Sequence, residues 1–193
     1  MLIFLFLYFG VIIGLRTYLL YKQTRVNAVN RFNAEIKSIP NNRNLILLLV
    51  LMIVIALNFI FLDNNYLYFI PFHLLAIPWL QTFGFIIAIL GLATSFIGQL
   101  QMRGSWRLST DANRSAVGLI TDGLFKYSRN PIYLGLIIAF FGFFLIAPNL
   151  GSLLFLLSML LVLYRKIISE EAFLSQKVGD YYDNYASRTK RWL

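Results

Sequence analysis

The sequence contains no cysteine and only one histidine, His73. The lack of cysteine excludes disulfide bonds, thiolate metal ligands and a cysteine nucleophile. A single histidine argues against a histidine metal cluster and against a Ser-His-Asp triad. We therefore expect no bound metal, and we expect His73 to have a structural or interfacial role.

Charged residues are also scarce, because they make up 13% of the chain against 59% for hydrophobic residues. Soluble domains carry about a quarter charged residues, so this chain has too few polar groups to coat a water-facing surface. The mean hydropathy of +0.72 agrees with this. The composition predicts an integral membrane protein.

The charges that are present are mainly positive and unevenly distributed. The chain has 17 Lys and Arg against 8 Asp and Glu, which gives a net charge of +9. The basic residues fall mostly in the segments Lys22–Arg43, Arg103–Arg129 and Arg165–Arg191, which apolar runs separate. This alternation is the positive-inside pattern. It predicts a multi-pass protein of a prokaryotic inner membrane, with the N-terminus outside, the C-terminus in the cytoplasm, and anionic lipid rather than nucleic acid as the partner of the basic segments.

Five apolar runs are candidates for transmembrane helices, which need about 20 residues. They are Leu2–Leu20, Leu45–Leu62, Trp79–Leu100, Ile132–Ala147 and Leu150–Tyr164. The last two are short and are joined by Pro148 and Asn149, which predicts a helical hairpin in a locally thinned bilayer. The segment Tyr66–Pro78 is interrupted by prolines, and we expect it to be interfacial or re-entrant.

The predicted fold is all-α, a polytopic membrane helix bundle of about five transmembrane helices with a C-terminal helical hairpin. Residues 1–98 would hold three spans and the interfacial segment. Residues 99–193 would form a catalytic region with the hairpin and a cytoplasmic tail.

Small residues recur on one face of the third apolar run. They are Gly84, Ala88, Gly91, Ser95 and Gly98, at alternating steps of four and three. In lipid, such a face lets a second helix approach closely. The pattern predicts a tight helix contact, and a wall that admits a ligand is the alternative.

Polar groups concentrate in two segments that flank the hairpin, and the first surrounds Asn130 and Pro131. This pair predicts a helix start, because asparagine caps helices and proline fits the first helical position. The positive end of that helix, with Arg129 beside it, would suit a carboxylate or phosphate. The alternative is a simple cap with an arginine at the lipid headgroups.

The second polar segment continues the fifth run as a helix, for which Gly179 is a plausible C-cap. It carries the adjacent acids Glu170 and Glu171. These carboxylates predict either pairing with Lys166 or Arg165 at helical spacing, or contact with a ligand that carries hydroxyls, amines or a cation. The tyrosines that follow are expected to dock the tail rather than to perform chemistry.

The order of these motifs resembles one superfamily. Trp-Arg at 106–107 precedes Leu-Ile-Thr-x-Gly-Leu-Phe-x-x-x-Arg-Asn-Pro-x-Tyr-x-Gly at 119–135, and Glu-Glu-x-x-Leu-x-x-x-x-Gly-x-x-Tyr-x-x-Tyr follows at 170–185. This ordered set, over Gln99–Trp192, is similar to the isoprenylcysteine carboxyl methyltransferases and the phospholipid N-methyltransferases. The resemblance implies an integral membrane enzyme that uses S-adenosylmethionine and releases S-adenosylhomocysteine.

The resemblance also implies a cofactor pocket at the cytoplasmic membrane face, roofed by the C-terminal helix. Its predicted catalytic residues are Arg129 and Glu171, with Glu171 as the base for an amine acceptor. The predicted cofactor-binding residues are Leu119, Ile120, Thr121, Gly123 and Lys126 along the wall, Arg129, Asn130, Pro131 and Tyr133 at the polar end, and Glu170 or Glu171 at the ribose or amino group. The isoprenylcysteine enzymes typically have histidine at the position of Asn130, and asparagine can donate a hydrogen bond there but cannot act as a base.

The expected substrate is a lipophilic or small hydrophobic acceptor, such as an isoprenylcysteine carboxylate or a phospholipid amine, reached from the lipid side. Methyl transfer from a sulfonium needs positioning more than acid–base groups, so the scarcity of histidine and cysteine is compatible with it. Two alternatives remain. One is an NADPH-dependent reductase of the sterol-reductase type, and the other is a non-catalytic scaffold or transporter, although we find no internal repeat of the transporter kind.

Overall fold

The computed structural model describes residues 50–55, 57, 70–102 and 119–193. Over these ranges the chain is helical and contains no strand. The α-helices are α1 (Pro78–Gln101), α2 (Pro131–Ile146), α3 (Leu150–Val178) and α4 (Asp180–Arg188), and a 3-10 helix spans Gly123–Lys126. Residues 50–55 and 57 are also helical. The prediction of an all-α bundle is confirmed, whereas Leu2–Leu20, Lys22–Arg43 and most of Arg103–Arg129 lie outside the described residues.

Two of these helices are long and apolar enough to cross a membrane. By length and composition these are α1, with 24 residues, and α3, with 29 residues, whereas α2 is apolar but shorter. Both long helices expose large apolar side chains, among them Phe83 and Leu90 on α1 and Leu157 and Leu161 on α3. Such exposed apolar surface suits contact with lipid. Together with the composition, it makes the chain a membrane protein.

Helices α1 and α2 pack antiparallel with their backbones in close approach. A methyl group added at Gly84 would lie 2.9 Å from the Gly142 carbonyl oxygen, and one added at Gly98 would lie 2.9 Å from an Ile132 side-chain carbon. The small residues of α1 named above are all buried. The predicted tight helix contact is confirmed, because an added Cβ at either glycine would come closer than 3.0 Å to an atom of α2.

The turn between α2 and α3 is held by Asn149. Its side-chain oxygen accepts a hydrogen bond from the Ser152 N–H at 2.8 Å, and the Asn149 N–H donates to Ser152 Oγ at 3.2 Å. The Phe72 N–H donates to the Pro148 carbonyl at 2.9 Å. The described residues 70–77 therefore form turns that pair with the hairpin, in agreement with a segment that does not span the membrane.

Helix α3 continues past the fifth apolar run, which ends at Tyr164, and this confirms the predicted helical continuation. It reaches Val178 and ends at Gly179, whose positive φ of 63° favours glycine. At about 1.5 Å per residue, its 29 residues extend beyond the 16-residue α2 by roughly 20 Å. The polar half of α3 therefore extends beyond the end of α2, and α4 then returns the chain towards the start of α2.

The core lies between the hairpin helices and residues 50–55. Phe140, Phe143 and Phe155 are fully buried, and the ring centroids of Phe140 and Phe155 are 5.2 Å apart in an edge-on contact. Met52 and Ile55 join the same cluster. The predicted boundary between residues 98 and 99 falls in the last turn of α1, and the division into two regions stays a prediction.

Candidate functional site

Polar side chains converge at the end of the bundle where α1 ends and α2 begins. The 3-10 helix is held there by Gln101, whose side-chain oxygen accepts a hydrogen bond from the Leu124 N–H at 2.8 Å. Gly123, with φ of 64°, passes so close to the Gln101 side chain that a Cβ would overlap it. This contact joins the loop before α2 to the end of α1.

The C-terminal segment folds back along residues 128–130. The Arg129 N–H donates to the Lys190 carbonyl at 2.9 Å. The Arg191 carbonyl accepts hydrogen bonds from Ser128 Oγ and from the Asn130 side-chain amide, each at 3.3 Å. The tail is therefore attached through its backbone to the start of α2.

Glu171 is the centre of the ionic cluster. Arg191 Nη2 donates to Glu171 Oε2 at 2.8 Å, Arg191 Nε lies 3.1 Å from Oε1, and the Asn130 amide donates to Oε1 at 3.1 Å. Arg129 Nη2 lies 3.7 Å from Oε1, which is within an ion pair but too long for a hydrogen bond. The Glu171 side chain is only 12% exposed. The carboxylate is thus bound by one arginine and approached by a second.

Glu170 has a different set of partners. Its Oε1 accepts a hydrogen bond from the Tyr133 hydroxyl at 2.7 Å and forms an ion pair with Lys166 Nζ at 3.3 Å, one helical turn away. The side chain is 25% exposed, about twice as much as that of Glu171. Of the two acids, Glu170 is the more accessible.

Arg129 is the least satisfied cation of the cluster. Its Nε is buried without a hydrogen-bond partner in the part of the chain that the structure describes, and its side chain is 15% exposed. The three cations Arg129, Arg191 and Lys166 outnumber the two carboxylates. The cluster therefore carries a net positive charge, and the described residues offer no acceptor to the Arg129 Nε.

The pKa values of the tail reflect this setting. Hydrogen bonds to the Glu171 carboxylate raise the pKa of Arg191, so this guanidinium stays charged. Burial raises the pKa of Tyr182, to which the Glu171 charge adds, while the Arg129 guanidinium opposes the rise. Burial also raises the pKa of Tyr185 to about 12. Tyr185 donates its hydroxyl proton to the Phe125 carbonyl at 2.6 Å, which confirms that this tyrosine docks the tail.

The structure brings together some of the predicted site residues and leaves others apart. The hydrogen bonds and ion pairs of the cluster join Arg129, Asn130, Tyr133, Glu170 and Glu171. Pro131 begins α2 beside them. Within the described ranges, the predicted wall residues take part in none of these bonds; they are Leu119, Ile120, Thr121, Gly123 and Lys126. The roles of all these residues in binding and catalysis stay predictions.

One sequence expectation is wrong and one participant was missed. Asn130 occupies the N-cap position of α2, but its side chain makes no cap hydrogen bond. The reason is the orientation of the side chain, whose amide nitrogen donates to Glu171 and to the Arg191 carbonyl, while its oxygen accepts no bond from the first turn of α2. Arg191 was predicted only as a basic residue of the tail, because its contact with Glu171 depends on the reversal of the chain at Gly179.

Comparison with known proteins places the chain in a family. A family described as "Protein of unknown function (DUF1295)" matches residues 1–189. The chain belongs to the DUF1295 family. This family is related to the steroid-reductase and isoprenylcysteine-methyltransferase-like proteins, in agreement with the resemblance drawn from the motifs.

A curated relative of this DUF1295 chain is the Protein-S-isoprenylcysteine O-methyltransferase of Schizosaccharomyces pombe. The two are 35% identical over 71 residues, which are 36% of this chain. The match spans 30% of the length of the yeast protein. The similarity is therefore to part of that methyltransferase.

Proposed function

We propose that this DUF1295 chain is an integral membrane methyltransferase that uses S-adenosylmethionine and acts on a lipophilic or small hydrophobic acceptor. The observation that carries the proposal is the convergence of Arg129, Asn130 and Tyr133 with Glu170 and Glu171 at one end of the α2–α3 hairpin. The partial similarity to an isoprenylcysteine methyltransferase supports the same chemistry.

The residues present fit the charges of S-adenosylmethionine. The buried, unpartnered Nε of Arg129 suits the carboxylate of the methionine part. The N-terminus of α2 adds a positive dipole end on the same side. Glu170, the more exposed acid, suits the ribose hydroxyls or the amine, and its bond to Tyr133 keeps it in place.

The protein's part in the chemistry is to position groups and to exclude water. When bound, S-adenosylmethionine supplies a methyl group on a sulfonium, which a nucleophile takes while the electron pair of the broken bond stays on sulfur. Glu171 already accepts hydrogen bonds from Arg191 and Asn130, which makes it a poor proton acceptor. The site therefore favours acceptors that need no base, such as a carboxylate or a thiolate, over an amine.

The orientation of the chain follows from the basic segments. The cluster lies at the end of α3 that carries Arg165 and Lys166, the side that the charge pattern assigns to the cytoplasm. A water-soluble cofactor would enter from this side, and a lipophilic acceptor would enter between helices from the bilayer. The prokaryotic inner membrane is part of the same proposal.

A second candidate is an NADPH-dependent reductase, because the family is also related to steroid-reductase-like proteins. The excess positive charge near Arg129 would also suit a phosphate. The two candidates differ in the cofactor that the purified protein retains, so one binding experiment separates them.

The test is isothermal titration of the detergent-purified protein with S-adenosylhomocysteine and, separately, with NADPH. Arg129→Ala and Glu170→Ala are the site variants, and Arg165→Ala and Asp180→Ala are controls at exposed positions nearby. The proposal expects saturable S-adenosylhomocysteine binding that both site variants lose and both controls keep. Binding of NADPH alone would reject the methyltransferase in favour of the reductase, and binding of neither by folded protein would reject both candidates.

A further inference from the structure

Arg191 makes the strongest ionic contact of the site although it lies outside the motifs. It approaches Glu171 with two nitrogens, at 2.8 Å from Oε2 and 3.1 Å from Oε1. This two-pronged geometry is the one in which arginine binds carboxylates best. Arg129, in contrast, stops at 3.7 Å from the same carboxylate. Two guanidinium groups therefore compete for one acid, and Arg191 holds it.

We propose that Arg191 is a positioning residue that occupies Glu171 and thereby leaves Arg129 available for the carboxylate of the ligand. The inference rests on the methyltransferase function proposed above. Arg191 would thus affect ligand binding without contacting the ligand itself.

The physical reason is the cost of an unpaired carboxylate. Glu171 is 12% exposed, so without a cationic partner its charge would be poorly solvated. If Arg191 is removed, Arg129 Nη2 needs to move by less than 1 Å to reach hydrogen-bonding distance from Glu171. Arg129 would then pair with Glu171 through Nη2, which would draw the guanidinium and its unpartnered Nε away from the ligand.

This effect can be separated from loss of the tail. The backbone carbonyls of Lys190 and Arg191 accept the hydrogen bonds from Arg129, Ser128 and Asn130. A side-chain truncation at position 191 leaves all three bonds in place. Arg191→Ala should therefore keep the tail docked while it frees Glu171.

The experiment compares two ligands that differ in the group Arg129 would bind. S-adenosylhomocysteine carries the amino-acid carboxylate and amine, whereas 5′-methylthioadenosine keeps the nucleoside and thioether without them. We expect Arg191→Ala to weaken S-adenosylhomocysteine by at least about tenfold, the value of one charged hydrogen bond. The affinity of Arg191→Ala for methylthioadenosine should equal that of the wild type. Arg188→Ala, an exposed arginine of the same tail, should leave both affinities unchanged.

Two further variants test the mechanism and keep the test valid if Arg191→Ala folds poorly. Arg191→Lys keeps the charge but cannot form the two-pronged contact, so its affinity for S-adenosylhomocysteine should be intermediate. In the double variant Arg191→Ala with Glu171→Gln, Arg129 has no carboxylate to pair with, and the preference for S-adenosylhomocysteine over methylthioadenosine should recover.

Three results would overturn the inference while the proposed function stands. They are an equal loss of both ligands in Arg191→Ala, tighter binding of S-adenosylhomocysteine by that variant, and no recovery in the double variant. If the wild-type protein binds neither ligand, the proposed function fails and the inference fails with it.

Discussion

The close approach of α1 and α2 leads to a quantitative prediction for Gly91→Ala. The added Cβ would overlap the Ala139 backbone nitrogen and would lie 2.6 Å from the Gly135 carbonyl oxygen and 2.9 Å from Ala139 Cα. Ordinary van der Waals contact begins at 3.4 Å, so the helices would have to move apart. No flexible side-chain end is available to absorb the clash, because all three neighbouring atoms belong to the backbone.

Two terms of opposite sign set the size of the effect. Overpacking in a core typically costs about 1–3 kcal/mol, and the rigid contacts here place the cost at the upper end. The gain in helix propensity from glycine to alanine returns about 1 kcal/mol. The expected net loss in the free energy of unfolding is about 2 kcal/mol, or a fall in Tm of about 4–8 °C for a chain of this size.

The assay is thermal unfolding of the two proteins in the same detergent, with Ala93→Gly as the matched control. Ala93 lies on the exposed face of α1, so this control measures the propensity term alone in the same helix. The reasoning would be refuted if Gly91→Ala were more stable than the wild type, by the same free energy that Ala93→Gly loses. That result would mean that the two helices are not in contact at Gly91.

Two other predictions concern the tail and the hairpin. Tyr185→Phe leaves the Phe125 carbonyl without its donor and should cost about 1–3 kcal/mol. Since the pKa of Tyr185 is raised from 10 to about 12 in the fold, this stabilisation is fully present below pH 10 and is lost as pH rises through 12. The difference in Tm between the wild type and Tyr185→Phe, measured at increasing alkaline pH, should therefore shrink towards zero. A difference that stays constant would contradict the stabilising role of the Tyr185 hydroxyl. Asn149→Ala removes the α3 cap and should lower the free energy of unfolding by about 0.5–2 kcal/mol; chemical denaturation measures it, and Asn149→Ser should recover part of the loss.

Much of the described fold could be predicted because helix bounds in lipid follow the apolar runs. The third run predicted α1 to within one residue at each end, and Pro148 with Asn149 located the hairpin turn. The small-residue face predicted a tight contact with another helix, which the structure identifies as α2. The polar segment was also predicted to continue the fifth run as a helix with Gly179 as its C-cap, and α3 does end at Gly179.

The candidate site could be predicted in part. The proximity of Arg129 and Tyr133 to the two acids could be predicted from the order of the motifs, because a helical hairpin returns the chain to the same side of the membrane. The role of Arg191 could not be predicted from the sequence. Its contact with Glu171 requires the chain to reverse direction at Gly179, where the backbone has a positive φ. The orientation of the Asn130 amide depends on that same contact.

The length of α3 places the ionic cluster far from the turn that fixes the start of the helix. The helix is anchored at Asn149 by its capping box, and Glu171 lies about 33 Å further along its axis. A tilt of about 5° around that anchor would displace Glu171 by roughly 3 Å, which is about the length of its hydrogen bond to Asn130. Membrane thickness changes helix tilt, and a tilt of α3 relative to α2 would break the contact between Glu171 and the start of α2. The geometry of the ionic cluster therefore depends on how rigidly the hairpin packs along its whole length.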